Sequence, residues 1–418
     1  MLLHSILAAL SVLSLALALW QWIVARRFPL HQRASDTSFA PGVTLLKPLK
    51  GCDAETAASL RSWLTQDYAG PVQVLFGVAA ANDPVCDVVR QLIAAHPQAN
   101  AELVICGESL GANAKVSTLI QLQRRAAHDH IVISDADVRV PADLLKNILG
   151  PLRDPGVGLV NCFYSLANPA TLAMQWEAVA INADFWSQVL QSRSLKPLDF
   201  ALGAVMATRK KQLDEIGGFT ALVDFLADDY QLGNQIARRG HRIELCAVVV
   251  ECWERLQGWR EVWAHQLRWA RTIRVCQPVP YFFSLLSNAT LWSGLLLVWS
   301  IHKVPEIFLH FDANGNAISP DETMLRLVVL GFPFSILALA CRFAIVADCM
   351  AWLCRARLRS GGILDWFVCD AQSSLRALLT PLKDLLQVMI WTLAFLGDHV
   401  TWRGERYRVL RGGKLVKE

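Results

Sequence analysis

The sequence predicts an α/β unit with a mainly parallel sheet, carried by one N-terminal and several C-terminal membrane helices. Three observations lead there. Between Val43 and about Val250, short apolar runs alternate with longer helical patterns. Both ends of the chain are greasy while the middle is not. Hydrophobic residues make up 54% of the 418 residues and charged ones only 18%, where about 25% charged is usual in soluble domains. Repeated strand–helix order gives a parallel sheet covered by helices, and the charge deficit is what lipid-buried segments leave behind. The length alone suggests two or three structural units.

The first element is residues 1–25. Leu2 to Val24 is apolar apart from His4, three serines and Gln21, and Arg26, Arg27 and Arg33 follow. Such a run is long enough to cross a bilayer core. A cleavable signal would carry its charges before the apolar run; here they come after it, so an uncleaved anchor is expected. The positive-inside rule then places the chain from Arg26 onward in the cytoplasm.

The middle, 40–278, contains the strand-like runs Val43–Leu46, Val72–Phe76, Glu102–Ile105 and Ile131–Ser134. Three of them are rich in β-branched residues. Helical windows lie between them at Ala54–Leu64, Val85–Ala95 and Lys115–Ala127. In such sheets ligands bind beyond the carboxyl ends of the strands. Near 254–278 an amphipathic basic stretch predicts interfacial helices.

Two spans are expected next, at 279–302 and 324–348. Arg342 in the second should face protein or snorkel to the interface. The loop His310–Glu322 has no Lys or Arg and reads as the outer side, while Arg355 to Arg359 returns inside. The region 361–398 carries Asp365, Asp370, Arg376, Lys383 and Asp384. That many charges predict interfacial helices or a re-entrant hairpin rather than a plain crossing. The last segment, 399–418, reads as a basic cytoplasmic tail.

The net charge of +4 argues against nucleic acid and fits a protein that meets anionic headgroups through local basic clusters. Eleven cysteines are scattered without CxxC or Cys/His ligand spacing. They read as small apolar residues in a reducing compartment, with neither a zinc site nor a disulfide framework.

Several residues carry potential chemistry. Asp135-Ala136-Asp137 directly follows the strand Ile131–Ser134, at the ligand-binding edge. It is either a solvated acidic turn or a pair of hard oxygen ligands for Mg²⁺ or Mn²⁺ on a nucleotide's phosphates. Asp83, before Pro84, either initiates a turn or reaches a nucleotide. Lys115 is a helix-start lysine able to approach a diphosphate. Lys47, at the end of the first strand, would line the nucleotide crevice. Asp228 and Asp229 precede a helix: one carboxylate can cap it, and the other can take a proton from an alcohol. His265-Gln266-Leu267-Arg268-Trp269, with Arg271 and Arg274 at helical spacing, lies just before the membrane. Those basic residues either touch headgroups, or Arg268 binds a diphosphate while Trp269 offers a flat face to a sugar or lipid.

In this order, Leu46 to Gly51, Asn82-Asp83-Pro84, Gly111 to Lys115, Asp135, Gly217-Gly218, Asp228-Asp229-Tyr230, Arg268-Trp269 and Trp402 to Arg408 resemble the processive and lipid-directed inverting glycosyltransferases. The match is closest to the ceramide glucosyltransferase family (glycosyltransferase family 21), whose bacterial branch includes enzymes of hopanoid biosynthesis. The resemblance implies a GT-A fold on the cytoplasmic face of a membrane, a bacterial inner membrane for that branch. It also implies a UDP-sugar donor, a membrane lipid acceptor such as ceramide or a hopanoid, and Mg²⁺ or Mn²⁺. By position, Asp83 is implied to meet the nucleotide, Asp135 the metal and diphosphate with Asp137 completing the motif, and Asp229 to act as base with Asp228 beside it. Arg268 would steady the leaving group. His265 departs from the family, which usually has Gln or Arg there.

Two rivals remain at this level. A processive polysaccharide synthase would use the same site with more spans, and would release long products. A non-catalytic membrane scaffold with the same fold would bind donor and transfer nothing.

Overall fold

The computed structural model describes residues 2–30, 32–308, 322–357, 363–402, 405–410 and 412–418. The chain opens with helix α1 (Leu2–Arg27) and then builds an eight-stranded sheet. Its first half alternates β1 (Val43–Leu49), α2 (Thr56–Leu64), β2 (Val72–Val78), α3 (Val85–Ala95), β3 (Asn100–Ile105), α4 (Ala114–Gln123) and β4 (His130–Ser134). The second half contains β5 (Val138–Arg139), α5 (Leu144–Leu149), β6 (Val157–Leu166), α6 (Leu172–Val179) and α7 (Trp186–Leu195). After these come β7 (Val205–Arg209), α8 (Lys210–Glu215), α9 (Asp228–Arg238) and β8 (Arg242–Cys252).

The strand order is β3-β2-β1-β4-β7-β6-β8-β5. Pairs β3–β2, β2–β1, β1–β4 and β6–β8 are parallel, while β7 runs antiparallel to both β4 and β6, and β5 antiparallel to β8. The sheet is therefore mixed, though mostly parallel. β7 reverses direction for a reason that matters to the site: its first residues come up beside the last ones of β4, with Ser134 opposite Val205. β1 is buried at all seven positions, as expected for a strand covered on both faces. Gly77 in β2 lets α4 approach, since a Cβ there would meet Thr118 Cγ2 at 2.6 Å.

The apolar helices pack into a second layer. α1 is followed at the far end by α10 (Trp259–Cys276), α11 (Pro278–Phe283), α12 (Ala289–Phe308), α13 (Glu322–Arg357), α14 (Ile363–Ala377) and α15 (Thr380–Phe395). α1 and a stretch of α13, Val328–Ala356, are each long and apolar enough to cross a membrane. Two further pairs qualify only together: Pro278–Ser287 with Ala289–Val304, bent by 43°, and Ile363–Ala377 with Thr380–Phe395, bent by 52°. The expected spans 279–302 and 324–348 thus correspond to a kinked pair and to a longer helix. The loop assigned to His310–Glu322 lies outside the described residues except for Glu322.

Polar contacts set the helix packing. Ser11 and Ser293 share a 2.7 Å hydrogen bond, and His4 meets the Trp299 ring at 4.7 Å, so α1 runs antiparallel to α12. At its other end Trp22 Nε1 donates to Asp348 Oδ2 (2.7 Å) and Arg26 lies over the Trp352 ring. The ends of α1 and α13 that carry basic residues therefore share one side. Arg342 faces protein, not lipid: its guanidinium makes two bonds to Asp184 (2.9 and 2.8 Å) and two to Asp384 (2.9 and 2.8 Å). Lys383 joins the same cluster through Asp184. Asp184 sits on a π-helical turn, Ala180–Phe185, so this buried cluster fastens the α/β unit to the membrane helices.

Two expectations need correction. Cys354 and Cys369 form a disulfide between α13 and α14, with Cα atoms 6.0 Å apart. Spacing could not reveal it, because the pairing is made by the turn between two helices. Nor is 399–418 a free tail. It forms a three-stranded antiparallel sheet, β9 (His399–Trp402), β10 (Glu405–Val409) and β11 (Leu415–Lys417). Val400, Tyr407, Val409 and Leu415 pack with Leu226 in a small core of their own.

Candidate active site

The site forms where β4 ends. Asp135 N bonds to Ala204 O (3.3 Å), which fixes the start of the Asp135-Ala136-Asp137 loop against the start of β7. Lys115, in the first turn of α4, reaches across: its Nζ is 2.7 Å from Asp135 Oδ1 and 3.0 Å from Asp228 Oδ2. Asn113 caps α4 by accepting from Val116 N (3.1 Å) and donates from Nδ2 to Phe225 O (2.8 Å). The cap therefore also holds the loop that leads to Asp228 and Asp229.

Asp229 Oδ1 accepts from Tyr230 N (2.8 Å), and its carboxylate lies against Gly203. Burial and the neighbouring Asp228 push its pKa up to about 6, although Lys115 pulls the other way. Burial and Asp135 likewise raise Asp137 to about 6, opposed by Lys47 and His265. Both carboxyls thus titrate near neutrality, as suits proton transfer at physiological pH.

Lys47 does not line the crevice. It is fully enclosed in β1 and donates to Ser134 Oγ (3.1 Å), Asp135 O and Val138 O (3.4 Å). Burial lowers its pKa to about 7, against the pull of Asp137 and Asp135. Its work is to brace the backbone of the acidic loop from below. Asp83 stands at the same sheet edge, after the parallel neighbour β2, and accepts from Gly51 N (3.0 Å to each oxygen) and Val85 N (3.0 Å). It ties the loop after β1 to the start of α3.

α10 closes the other side. The His265 Nδ1–H donates to Glu177 Oε1 (2.8 Å), and Gln266 Nε2 donates to the same oxygen (2.8 Å). The Trp269 ring meets His265 at 4.7 Å, Phe185 at 6.1 Å and Tyr164 at 6.5 Å. Arg268 is close enough to Glu254 to oppose the rise of that carboxyl's pKa, which burial, Glu177 and Asp137 push up to about 8. Arg271 and Arg274 do not reach out to headgroups. They donate to the carbonyls of His399 and Gly397 respectively. The C-terminal sheet also pairs with the base-bearing loop through Leu226 N to Gly413 O (3.1 Å) and Leu415 N to Asp224 O (2.7 Å).

Lys115, Asp135, Asp228 and Asp229 therefore meet directly. Asp137, Arg268 and Trp269 line the adjoining wall, Asp83 stands apart along the edge, and Lys47 lies beneath. Glu177, Glu254 and Tyr164 were missed. Glu177 had a signal, a lone carboxylate inside the apolar window Leu172–Val179; Glu254, placed after a strand beside Trp253, had little. Among the described residues no three His, Cys, Asp or Glu side chains group as a metal cluster. Asp135 and Asp137 still offer two hard oxygen donors, with Asp135 partly open. That donor set suits Mg²⁺ or Mn²⁺, which are bound through one or two carboxylates and completed by phosphates and water.

The family model described as Glycosyl transferase family 21 matches residues 6–316 and 321–415. Ceramide glucosyltransferase 3 of Caenorhabditis elegans is 25% identical over 219 residues, 52% of this chain and 47% of that protein. Ceramide glucosyltransferase of Candida albicans is 30% identical over 125 residues, 27% and 23% of the two chains. The matches thus span about half, or less, of these relatives' lengths. Among solved structures, the mannosyltransferase PcManGT from Pyrobaculum calidifontis, in complex with GDP-Man and Mn²⁺, is 21% identical with a TM-score of 0.47, covering 92% of this chain and 99% of that one.

Proposed function

The chain belongs to glycosyl transferase family 21, and on that premise we propose that it transfers a hexose or N-acetylhexosamine from a UDP-sugar to the hydroxyl of a membrane lipid, with inversion. The observation that carries this reading is the bridge of Lys115 between Asp135 and Asp228 with Asp229 alongside. It joins, at one sheet edge, a candidate diphosphate end and a candidate base.

Asp229 takes the proton of the acceptor hydroxyl as its oxygen attacks the anomeric carbon. The bond from that carbon to the diphosphate breaks on the opposite face, and UDP leaves with the bonding pair. Lys115 offsets the developing negative charge from one side and Arg268 from the other. Asp135 and Asp137 would hold Mg²⁺ or Mn²⁺, which when bound neutralises diphosphate charge. Asp83 and the loop after β1 would meet the uridine.

The acceptor presents a hydroxyl above an apolar body, as a ceramide or a hopanoid does. α10 and α11 lie between the site and the membrane helices, and Val279, Phe282 and Phe283 are exposed on α11, so the lipid can offer its hydroxyl without leaving the bilayer. The shared side of Arg26 and the end of α13 favours a cytoplasmic catalytic domain, which in a bacterium means the inner membrane.

The test is transfer from labelled UDP-sugars to ceramide and hopanoid acceptors by the purified protein in lipid discs, read by mass spectrometry. One sugar per lipid, with inverted configuration and a need for divalent metal, is expected. A polymeric product would favour a processive synthase, and donor binding with no transfer would leave only a scaffold.

A further inference from the structure

Beyond the base and the acidic loop, a second group of side chains converges on the same cavity wall. Glu177 is fully buried, yet only its Oε1 is engaged, by His265 and Gln266; Oε2 has no hydrogen-bond partner. An unpaired buried carboxylate oxygen is costly to keep, which points to a ligand hydroxyl that pairs with it. Glu254 faces the same region. Its carboxyl feels Glu177 and Asp137, and Gln257 Nε2 donates to its Oε2 (2.5 Å). The backbone next to it, Trp253 N, bonds to Asp137 O (3.0 Å), so Glu254 is tied to the acidic loop rather than to the base. The Trp269 ring beside His265 adds an apolar face. The Tyr164 hydroxyl lies between the two groups, since its acidity is depressed by Asp229 and Asp135 as well as by Glu177.

Resting on the glycosyl-transfer reading above, we propose that Glu177, His265, Glu254 and Trp269 form the subsite for the transferred sugar, gripping its hydroxyls. Carboxylate oxygens accept from neighbouring sugar hydroxyls, and the indole face covers the sugar's C–H surface. Both Glu177 and Glu254 keep short polar partners of their own, His265 and Gln257, which fix their orientation. A sugar carrying its own carboxylate would meet Asp137, Glu177 and Glu254 together, so the subsite selects neutral sugars. His265 is here a positioning residue, acting through Glu177 and Trp269.

The experiment uses full-length wild type and the variants Glu177→Gln, Glu254→Gln and His265→Asn in lipid discs. It measures UDP affinity by calorimetry, and kcat and KM separately for the UDP-sugar and for the lipid acceptor. The donor panel includes UDP-glucose, UDP-galactose, UDP-N-acetylglucosamine and UDP-glucuronate. Expected are unchanged UDP binding, an unchanged acceptor KM, and a rise of roughly 10- to 100-fold in donor KM for each glutamate variant, the scale of one charged hydrogen bond lost. Wild type should not use UDP-glucuronate. An effect confined to the acceptor KM, an unchanged donor KM, or efficient glucuronate transfer by wild type would overturn the subsite while leaving glycosyl transfer intact. Absence of both UDP binding and transfer in wild type would overturn both.

Discussion

Gly203 faces the carboxylate of Asp229 so closely that a Cβ at residue 203 would lie 2.6 Å from Asp229 Oδ2. The residue is therefore a spacer for the base, and its backbone is not in the left-handed region that would itself require glycine. Gly203→Ala should fold and bind UDP as wild type does. It should displace Asp229 by several tenths of an ångström and lower kcat by about 10²-fold, the scale of a small misplacement at a reacting centre. Unchanged kcat would show that Asp229 tolerates the shift and is not the base.

The acid limb of the kcat profile should fall near pH 6. Asp229 works as a base only when ionised, and its pKa stands at about 6 because burial and Asp228 disfavour the charge. Activity is thus present above that value and lost as pH drops through it. Asp229→Asn should bind donor and show no limb because it shows no turnover; measurable transfer by this variant would remove Asp229 from the role.

Lys115 is the cation that restrains that rise. Removing it in Lys115→Met leaves Asp135 and Asp228 without their shared partner and withdraws the charge that lowers Asp229. The acid limb should move to higher pH, and kcat at neutral pH should fall by at least about tenfold, the equivalent of one pKa unit. A limb that stays in place would mean Lys115 acts on the diphosphate alone.

Arg342→Met should destabilise the protein by about 3–5 kcal/mol, as breaking a buried ion pair does when a charge is left behind. Asp184 and Asp384 would then share Lys383 alone. Thermal unfolding in detergent measures it. The double change Arg342→Met with Asp384→Asn should recover part of the loss, because it restores the balance of charge.

A chain ending at Leu396 should keep its membrane helices yet lose most of its kcat. The bonds from Gly413 O to Leu226 N and from Leu415 N to Asp224 O disappear with the C-terminal sheet, freeing the loop that aims Asp229. Faster hydrogen exchange at residues 224–229 is the accompanying sign. Full activity would make the sheet dispensable.

The alternation of apolar runs and helical windows was enough to predict β1 to β4 and α2 to α4 to within a few residues, because buried parallel strands read as continuous β-branched runs. The antiparallel β7 was not legible. Nothing local marks a strand's direction, which here follows from the path of α6 and α7 before it. Lys47 misled for a related reason: at a strand end a lysine reads as exposed, and only the stacking of α2 and the acidic loop over β1 encloses it. Arg268 and Trp269 were visible as a motif, whereas Glu177 acquires meaning only when α10 brings His265 to it.

By itself the sequence determined the apolar segments, the α/β middle and the residue types able to do acid–base and diphosphate chemistry, since these follow from composition and local periodicity. Only the tertiary structure decided which of them meet. The bridge of Lys115 to Asp135 and Asp228, the Arg342 cluster and the docking of the C-terminal sheet all join residues far apart in the chain. Pattern along a chain carries no distance between such positions; packing of the helices on the sheet supplies it.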